Sequence, residues 1–353
     1  MRKLILAIVG LCFIAMPVLA FHDAGVAHCN GCHTMHNSQD GILVDPDSPD
    51  GNAWLLNDST PSDVCLNCHA DHLGAVFADD VLAPAALKGA GNFIFLLEDN
   101  LNDGHGGGSN AILGDAAGHN LNAPGHGLAA DATLSVSPGG NFPAANMACT
   151  SCHDPHGNDS FRMLYGAGRV IQAGVATFTN DAPEAKGLSL FFGSESNSSH
   201  TAYQSGMSDW CGNCHGDFHQ NFAQMVHRSG VAMGGTISAA YNAYNGTDDL
   251  TGGLQATSYL AAVPFEDVGN VSTYSTAGPS ATSVVMCLTC HRAHGSSAPD
   301  AGRWDFSVTL LHEDGEESGS YAIPDPYDSI NQRSLCNKCH VKDAYDHLEV
   351  IVP

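Results

Sequence analysis

The sequence predicts a fold made mostly of coil and turns, with short α-helices and very few strands. Tethered cofactors take the place of a large apolar core. Three observations carry this prediction. The pentapeptide C-x-x-C-H occurs six times, at 29–33, 65–69, 149–153, 211–215, 287–291 and 336–340. Its cysteines, Cys29, Cys32, Cys65, Cys68, Cys149, Cys152, Cys211, Cys214, Cys287, Cys290, Cys336 and Cys339, are all but one of the 13 in the chain. The rest is rich in glycine (39 of 353 residues) and has few long apolar runs after residue 20.

C-x-x-C-H is the attachment sequence of c-type haem. Two thiols three residues apart lie on one side of a helical turn, where both can form thioethers to one porphyrin. The adjacent imidazole is then held under the iron as proximal ligand. The proximal histidines are His33, His69, His153, His215, His291 and His340. Paired cysteines also build zinc sites, redox dithiols and disulfides. None of those asks for a histidine after the second cysteine every time. The motifs therefore predict a multihaem cytochrome c with six covalently attached haem c groups.

The composition agrees. Aromatic residues make up 7 % of the chain and charged residues 14 %. Such a chain has little apolar surface to set against its conformational entropy. Six porphyrins, each with two apolar faces, supply the missing core, and the haem-free chain is expected to be largely unfolded. The 12 Lys and Arg against 37 Asp and Glu disfavour nucleic acid and anionic membranes as partners. The acidity suits cationic partners, metal ions and mineral surfaces, and serves solubility equally well.

Residues 1–20 read as a secretory signal peptide, with Arg2 and Lys3 before the apolar stretch Leu4–Met16 and small residues ending at Ala20. That places haem attachment outside the cytoplasmic membrane. The location expected is extracellular or on the outer surface, with the periplasm as the alternative. Cys12 follows Leu11, where a lipoprotein signal wants a small residue, so no membrane anchor is expected. Residues 21–353 read as a single haem-binding domain. Within it, 40–61 reads as surface loop, Phe93–Leu97 as a strand and Arg169–Phe178 as a hairpin. Ser208–His227 is the best helix, with shorter ones at Ile237–Tyr244 and Leu254–Ala262. Motif spacings of 36, 84, 62, 76 and 49 residues exclude a regular solenoid.

Fourteen histidines remain for the distal sides of six irons, so bis-histidine ligation throughout is affordable. Methionine is the rival ligand and would raise the potentials. C-x-x-C-H-x-x-H occurs four times, ending at His36, His72, His156 and His294. A histidine three residues after a proximal one is displaced by a turn on a short helix. It cannot easily swing over its own haem, but it can reach a neighbouring one.

These residues resemble the OmcS-type multihaem filament cytochromes of metal-reducing bacteria. The segments are Phe21-His22, Gly31–Ser38, Cys65–His69, Gly118-His119-Asn120, Pro138-Gly139-Gly140, Ser151–Gly157, Gly206–Cys211, Pro264-Phe265-Glu266, Cys290–His294 and Leu335–His340. The resemblance implies six bis-His haems in one continuous stack, alternating parallel and perpendicular pairs. It also implies head-to-tail polymerisation, a heterologous contact that does not close. In it, His36 completes a haem of the adjacent protomer. The distal pool it implies is His22, His36, His119, His156, His219, His227 and His294, seven candidates for six places. His72, His126 and His200 are in reserve. The chain departs from the pattern by being shorter around 158–200 and 295–335.

The function expected is extracellular electron transfer from haem to haem. The chain's own copies, other cytochromes, and metal oxides or electrodes are the partners. A monomeric periplasmic carrier shares the chemistry without the assembly. A multihaem reductase of nitrite or a similar molecule needs an iron with an open position. All six motifs end in histidine, which counts against it.

Overall fold

The computed structural model describes residues 29–70, 76–77, 88–97, 101–102, 111–112, 116–171, 174–188, 195–220, 228–245, 252–306, 317–318, 321–322, 326–327 and 332–341. The expected signal peptide, His22, His72 and His227 lie outside them. Among the described residues the strands form only two-stranded antiparallel pairs, most of them two residues long. The longest helix, Gly234–Ala243, has 10 residues. No helix among them is long and apolar enough to cross a membrane. The coil-dominated fold predicted from the motifs is the fold observed.

Four small apolar clusters replace one core, and each packs against motif cysteines. Phe93, Ile94, Phe95, Leu121 and Leu128 gather beside Cys149. Tyr241, Tyr259, Leu260, Phe265 and Trp304 gather beside Cys290, Cys336 and Cys339. The other two clusters border Cys214 and Cys211.

Local chemistry explains the elements. The helix Pro61–His69 starts at Thr60, whose hydroxyl accepts from the Asp63 amide at 3.1 Å, with Pro61 in the first turn. Asp63 is fully buried. Its carboxylate accepts from the Ser59 and Thr60 hydroxyls, both at 2.8 Å, and from the Gly125 amide at 3.0 Å. It thereby fastens the second motif's helix to the turn Pro124–His126. Asp63→Ala is expected to cost about 3 kcal/mol, from lost charge-assisted bonds and a stranded amide. Urea unfolding of the haem-loaded protein measures it.

The surface loop at 40–61 and the hairpin at Val170–Ile171 with Ala176–Thr177 appear as expected. Three other elements differ. Phe93–Leu97 is a 3-10 turn: the Asn92 side chain takes the Ile94 amide at 2.9 Å, and Phe93, Ile94 and Phe95 are all buried. Over its described residues the long helix expected from Ser208 is interrupted, forming Met207–Cys211 and Gly216–Gln220. Asn213 breaks it: its side-chain oxygen accepts from the Thr179 and Asn180 amides at 2.8 and 2.9 Å. Leu254–Ala262 keeps only the turn Gln255–Thr257, whereas Ile237–Tyr244 lies almost wholly within the helix Gly234–Ala243.

Candidate haem sites

Four proximal imidazoles are held by the same device. The Nδ1–H of His33 donates to Trp54 O at 3.0 Å, that of His153 to Arg162 O at 2.8 Å, that of His215 to Pro138 O at 2.7 Å and that of His291 to Asp300 O at 3.0 Å. A carbonyl only accepts, so Nδ1 carries the proton and Nε2 keeps its lone pair for a metal. His69 closes the helix Pro61–His69, and His340 follows the turn Leu335–Lys338.

At motifs one, three and five the accepting carbonyl belongs to a strained dipeptide. Trp54-Leu55, Arg162-Met163 and Asp300-Ala301 all have φ between 52° and 59°. Left-handed backbone costs roughly 1–2 kcal/mol per non-glycine residue. What it secures is repeated three times. The first carbonyl of the dipeptide takes the imidazole. The second takes the amide after the histidine, as in Thr34 N to Leu55 O, Asp154 N to Met163 O and Arg292 N to Ala301 O. No residue type in the sequence announced these turns.

Three proximal imidazoles face a second one. The ring centroids of His33 and His156 are 6.4 Å apart, those of His153 and His294 6.5 Å, and those of His215 and His119 6.0 Å. That is too far for ring contact. Metal–nitrogen bonds of about 2 Å, with about 1.1 Å more to each centroid, put imidazoles on opposite sides of one metal roughly 6 Å apart. The observed spacings fit an iron between each pair.

His119 is oriented like the proximal rings, its Nδ1–H donating to Ala293 O at 2.6 Å. Burial holds His119, His153 and His215 below the usual histidine range and pushes His294 down to about 3. All four are neutral and able to donate a lone pair. His294 lies on Phe93 with centroids 4.5 Å apart, and its buried Nδ1 finds no acceptor. Glycines make this crossing possible: a Cβ on Gly91 would strike Gly295 O, and one on Gly118 would strike His294 O.

His156 and His294 sit three residues past a proximal histidine, and each faces the proximal ring of another motif, as their offset predicts. The route differs from the expected short helix, because backbone after the proximal histidine is extended (His291 has φ −110°, ψ 162°). His36 is exposed, and among the described residues no second imidazole faces His291. The backbone of His219 lies in the helix Gly216–Gln220. His126 meets Phe77 edge-on at 5.7 Å. His200 is removed from the reserve. Its Nδ1 and Nε2 lie 3.0 and 2.8 Å from Thr201 O and Ser275 O, so neither nitrogen is open to a metal.

The thiols line the motifs up in chain order. The Cys32 thiol is raised by burial and by Cys68 beside it, Cys152 by burial and Cys214, and Cys290 by burial and Cys339. The Cys65 thiol donates to Cys149 and is raised by it, and the Cys211 thiol donates to Cys287 and is raised likewise. Motifs one and two, three and four, and five and six thus meet through their second cysteines. Two and three, and four and five, meet through their first.

A family model described as a doubled CXXCH motif matches residues 141–173, which contain the third motif. The C-type cytochrome OmcS of Geobacter sulfurreducens is 32 % identical over an alignment spanning 97 % of this chain and 98 % of that protein. The chain belongs to the OmcS family of c-type cytochromes. Two solved structures agree. The Outer Membrane Cytochrome S filament from Geobacter sulfurreducens has a TM-score of 0.76 at 29 % identity, covering 92 % of this chain and all of that one. The OmcS nanowires from the same organism score 0.77 at 30 % identity with the same coverage. The cofactor of the C-x-x-C-H motifs is accordingly covalently bound haem c. The alignment spans 428 positions against 353 residues, so OmcS and this chain differ by gaps.

Proposed function

We propose that this chain is a hexahaem electron conduit that polymerises head to tail and delivers electrons outside the cell. The observation that carries the reading is the register of the +3 histidines. His156 of motif three faces His33 of motif one, and His294 of motif five faces His153 of motif three. Among motifs one, three and five the series leaves one donor and one acceptor over. His36, the +3 histidine of motif one, has no earlier motif to serve. His291 of motif five has no later +3 histidine in the chain. A second copy supplies both.

The surface around each end supports the same contact. Met35, Ile42 and Trp54, in the same N-terminal part of the chain as His36, are 70–77 % exposed. Phe306, 40 % exposed, stands 5.4 Å from the His291 ring.

In the ligand assignment that follows, His33 pairs with His156, His153 with His294, His215 with His119, and His291 with His36 of the next protomer. His69 and His340 draw on His22, His219 and His227. Ligation is bis-histidine at all six irons. Haem supplies reversible one-electron Fe(III)/Fe(II) change. The chain supplies spacing, ligand orientation and exclusion of water, and offers no open iron in the filament, so it acts as carrier and not as reductase. Export to the outer surface follows from the leader at 1–20, with Fe(III) minerals, electrodes or other cytochromes as acceptors.

Electron microscopy of the purified haem-loaded protein at neutral pH, with mass spectrometry of the same sample, tests this. Long filaments of a six-haem chain are expected. Dispersed particles with six haems would leave a monomeric carrier, and fewer than six haems would remove the reading altogether.

A further inference from the structure

Four of the chain's 12 Lys and Arg residues are buried about the last two motifs: Arg292, Arg303, Arg333 and Lys338, all at most 5 % exposed. Lys338 is the most enclosed. Its Nζ donates to Tyr241 O at 2.8 Å, Tyr244 O at 3.2 Å and Ser258 O at 3.3 Å. It sits 4.1 Å from the centroid of the Tyr241 ring, with Tyr244 and Tyr327 at 5.9 and 5.8 Å. All three N–H groups are spent on carbonyls, so none is left for a carboxylate or a porphyrin propionate. The three carbonyls hold the group as an ammonium, because a neutral amine would turn its lone pair on one of them.

Lys338 stands between Cys336 and Cys339, inside the attachment motif. The corresponding positions of the other five motifs hold Asn30-Gly31, Leu66-Asn67, Thr150-Ser151, Gly212-Asn213 and Leu288-Thr289, none of them charged. A buried charge at this one motif costs solvation that an apolar residue would not.

We propose that Lys338 sets the potential of the haem held at Cys336 and Cys339. Its buried ammonium raises that haem above the other five and makes motif six the resting place of the electron in each protomer. A nearby fixed cation favours the iron state carrying less positive charge, which is Fe(II). The inference rests on the reading of residues 336–340 as a haem site.

The test is a redox titration of the haem-loaded protein, resolving individual haems by NMR, for wild type, Lys338→Met, Lys338→Arg and Tyr327→Glu. In Lys338→Met one haem is expected to show an about tenfold smaller reduced-to-oxidised ratio at fixed potential, a midpoint about 59 mV lower. The other five stay in place, and Lys338→Arg restores the sixth. Tyr327→Glu keeps the lysine but adds a carboxylate beside it, and should lower the same haem. Equal shifts in the Met and Arg variants would assign the effect to packing and overturn the proposal, as would unchanged midpoints in Lys338→Met. Should Lys338→Met lose a haem by mass, Tyr327→Glu decides alone, and unmoved midpoints there overturn the proposal. Wild-type protein lacking the haem at motif six would remove this inference together with the six-haem reading. Six haems with an indifferent Lys338 would remove this inference only.

Discussion

Replacing His294 with alanine is expected to leave six haems attached and to convert one of them from low-spin to high-spin iron. Attachment depends on Cys149 and Cys152, which the substitution does not touch. Ligation depends on the ring facing His153 at 6.5 Å. Among the described residues no other imidazole faces His153. His119 faces His215, and the segments crossing at Gly91, Gly118 and Gly295 close the space with backbone. The histidine is half-buried and stacks on Phe93, so the truncation also removes packing and costs about 1–2 kcal/mol, less than a fully buried large-to-small change. Electron paramagnetic resonance of the oxidised variant reads the spin state. Added imidazole should enter the vacated space and restore the low-spin signal. His294→Met should keep low-spin iron at a higher potential. His200→Ala is the control: both its nitrogens are taken by carbonyls, so all irons should stay low-spin. A fully low-spin His294→Ala protein would refute the pairing of His153 with His294.

Much of this site was legible because covalent chemistry fixes it. Two thioethers and one imidazole per motif need particular residues at particular offsets, and these stand in the sequence without tertiary structure. The +3 histidines were legible for the same reason, since their offset forbids their own haem and leaves only a neighbour's. His119 emerged from the resemblance alone; its position depends on Ala293, 174 residues away, and on glycine crossings that no local pattern encodes. The orienting carbonyls were not legible at all. Trp54, Arg162 and Asp300 share no side-chain chemistry, because the backbone does the work. Phe93–Leu97 reads as a strand by composition, yet no strand lies alongside to pair with it, and Asn92 folds it into a turn. Helix periodicity from Ser208 continued past Asn213 on paper, where the Thr179 and Asn180 amides compete for that side chain. In a chain whose cores are four small clusters around cysteines, local propensity decides little.

His36→Ala should abolish filaments while keeping six haems on a folded chain. His36 is exposed, so the folded monomer is expected to lose little by its removal. In the assembly it would be the sixth ligand of the neighbour's motif-five iron. A metal–imidazole bond at an interface brings both affinity and register, and the exposed Met35, Ile42 and Trp54 alone set no register. The variant should therefore run as a monomer by light scattering and show one high-spin iron, at the His291 site. Free imidazole separates ligation from assembly: it should return that iron to low spin without restoring filaments, because it fills the coordination site but joins no second chain. Trp54→Ser divides the same contact the other way, weakening assembly while leaving any filament that forms entirely low-spin. If His36→Ala still polymerises and stays low-spin, the joint uses a different histidine. The +3 series would then end inside the chain, and continuity of the electron path between copies would need another basis.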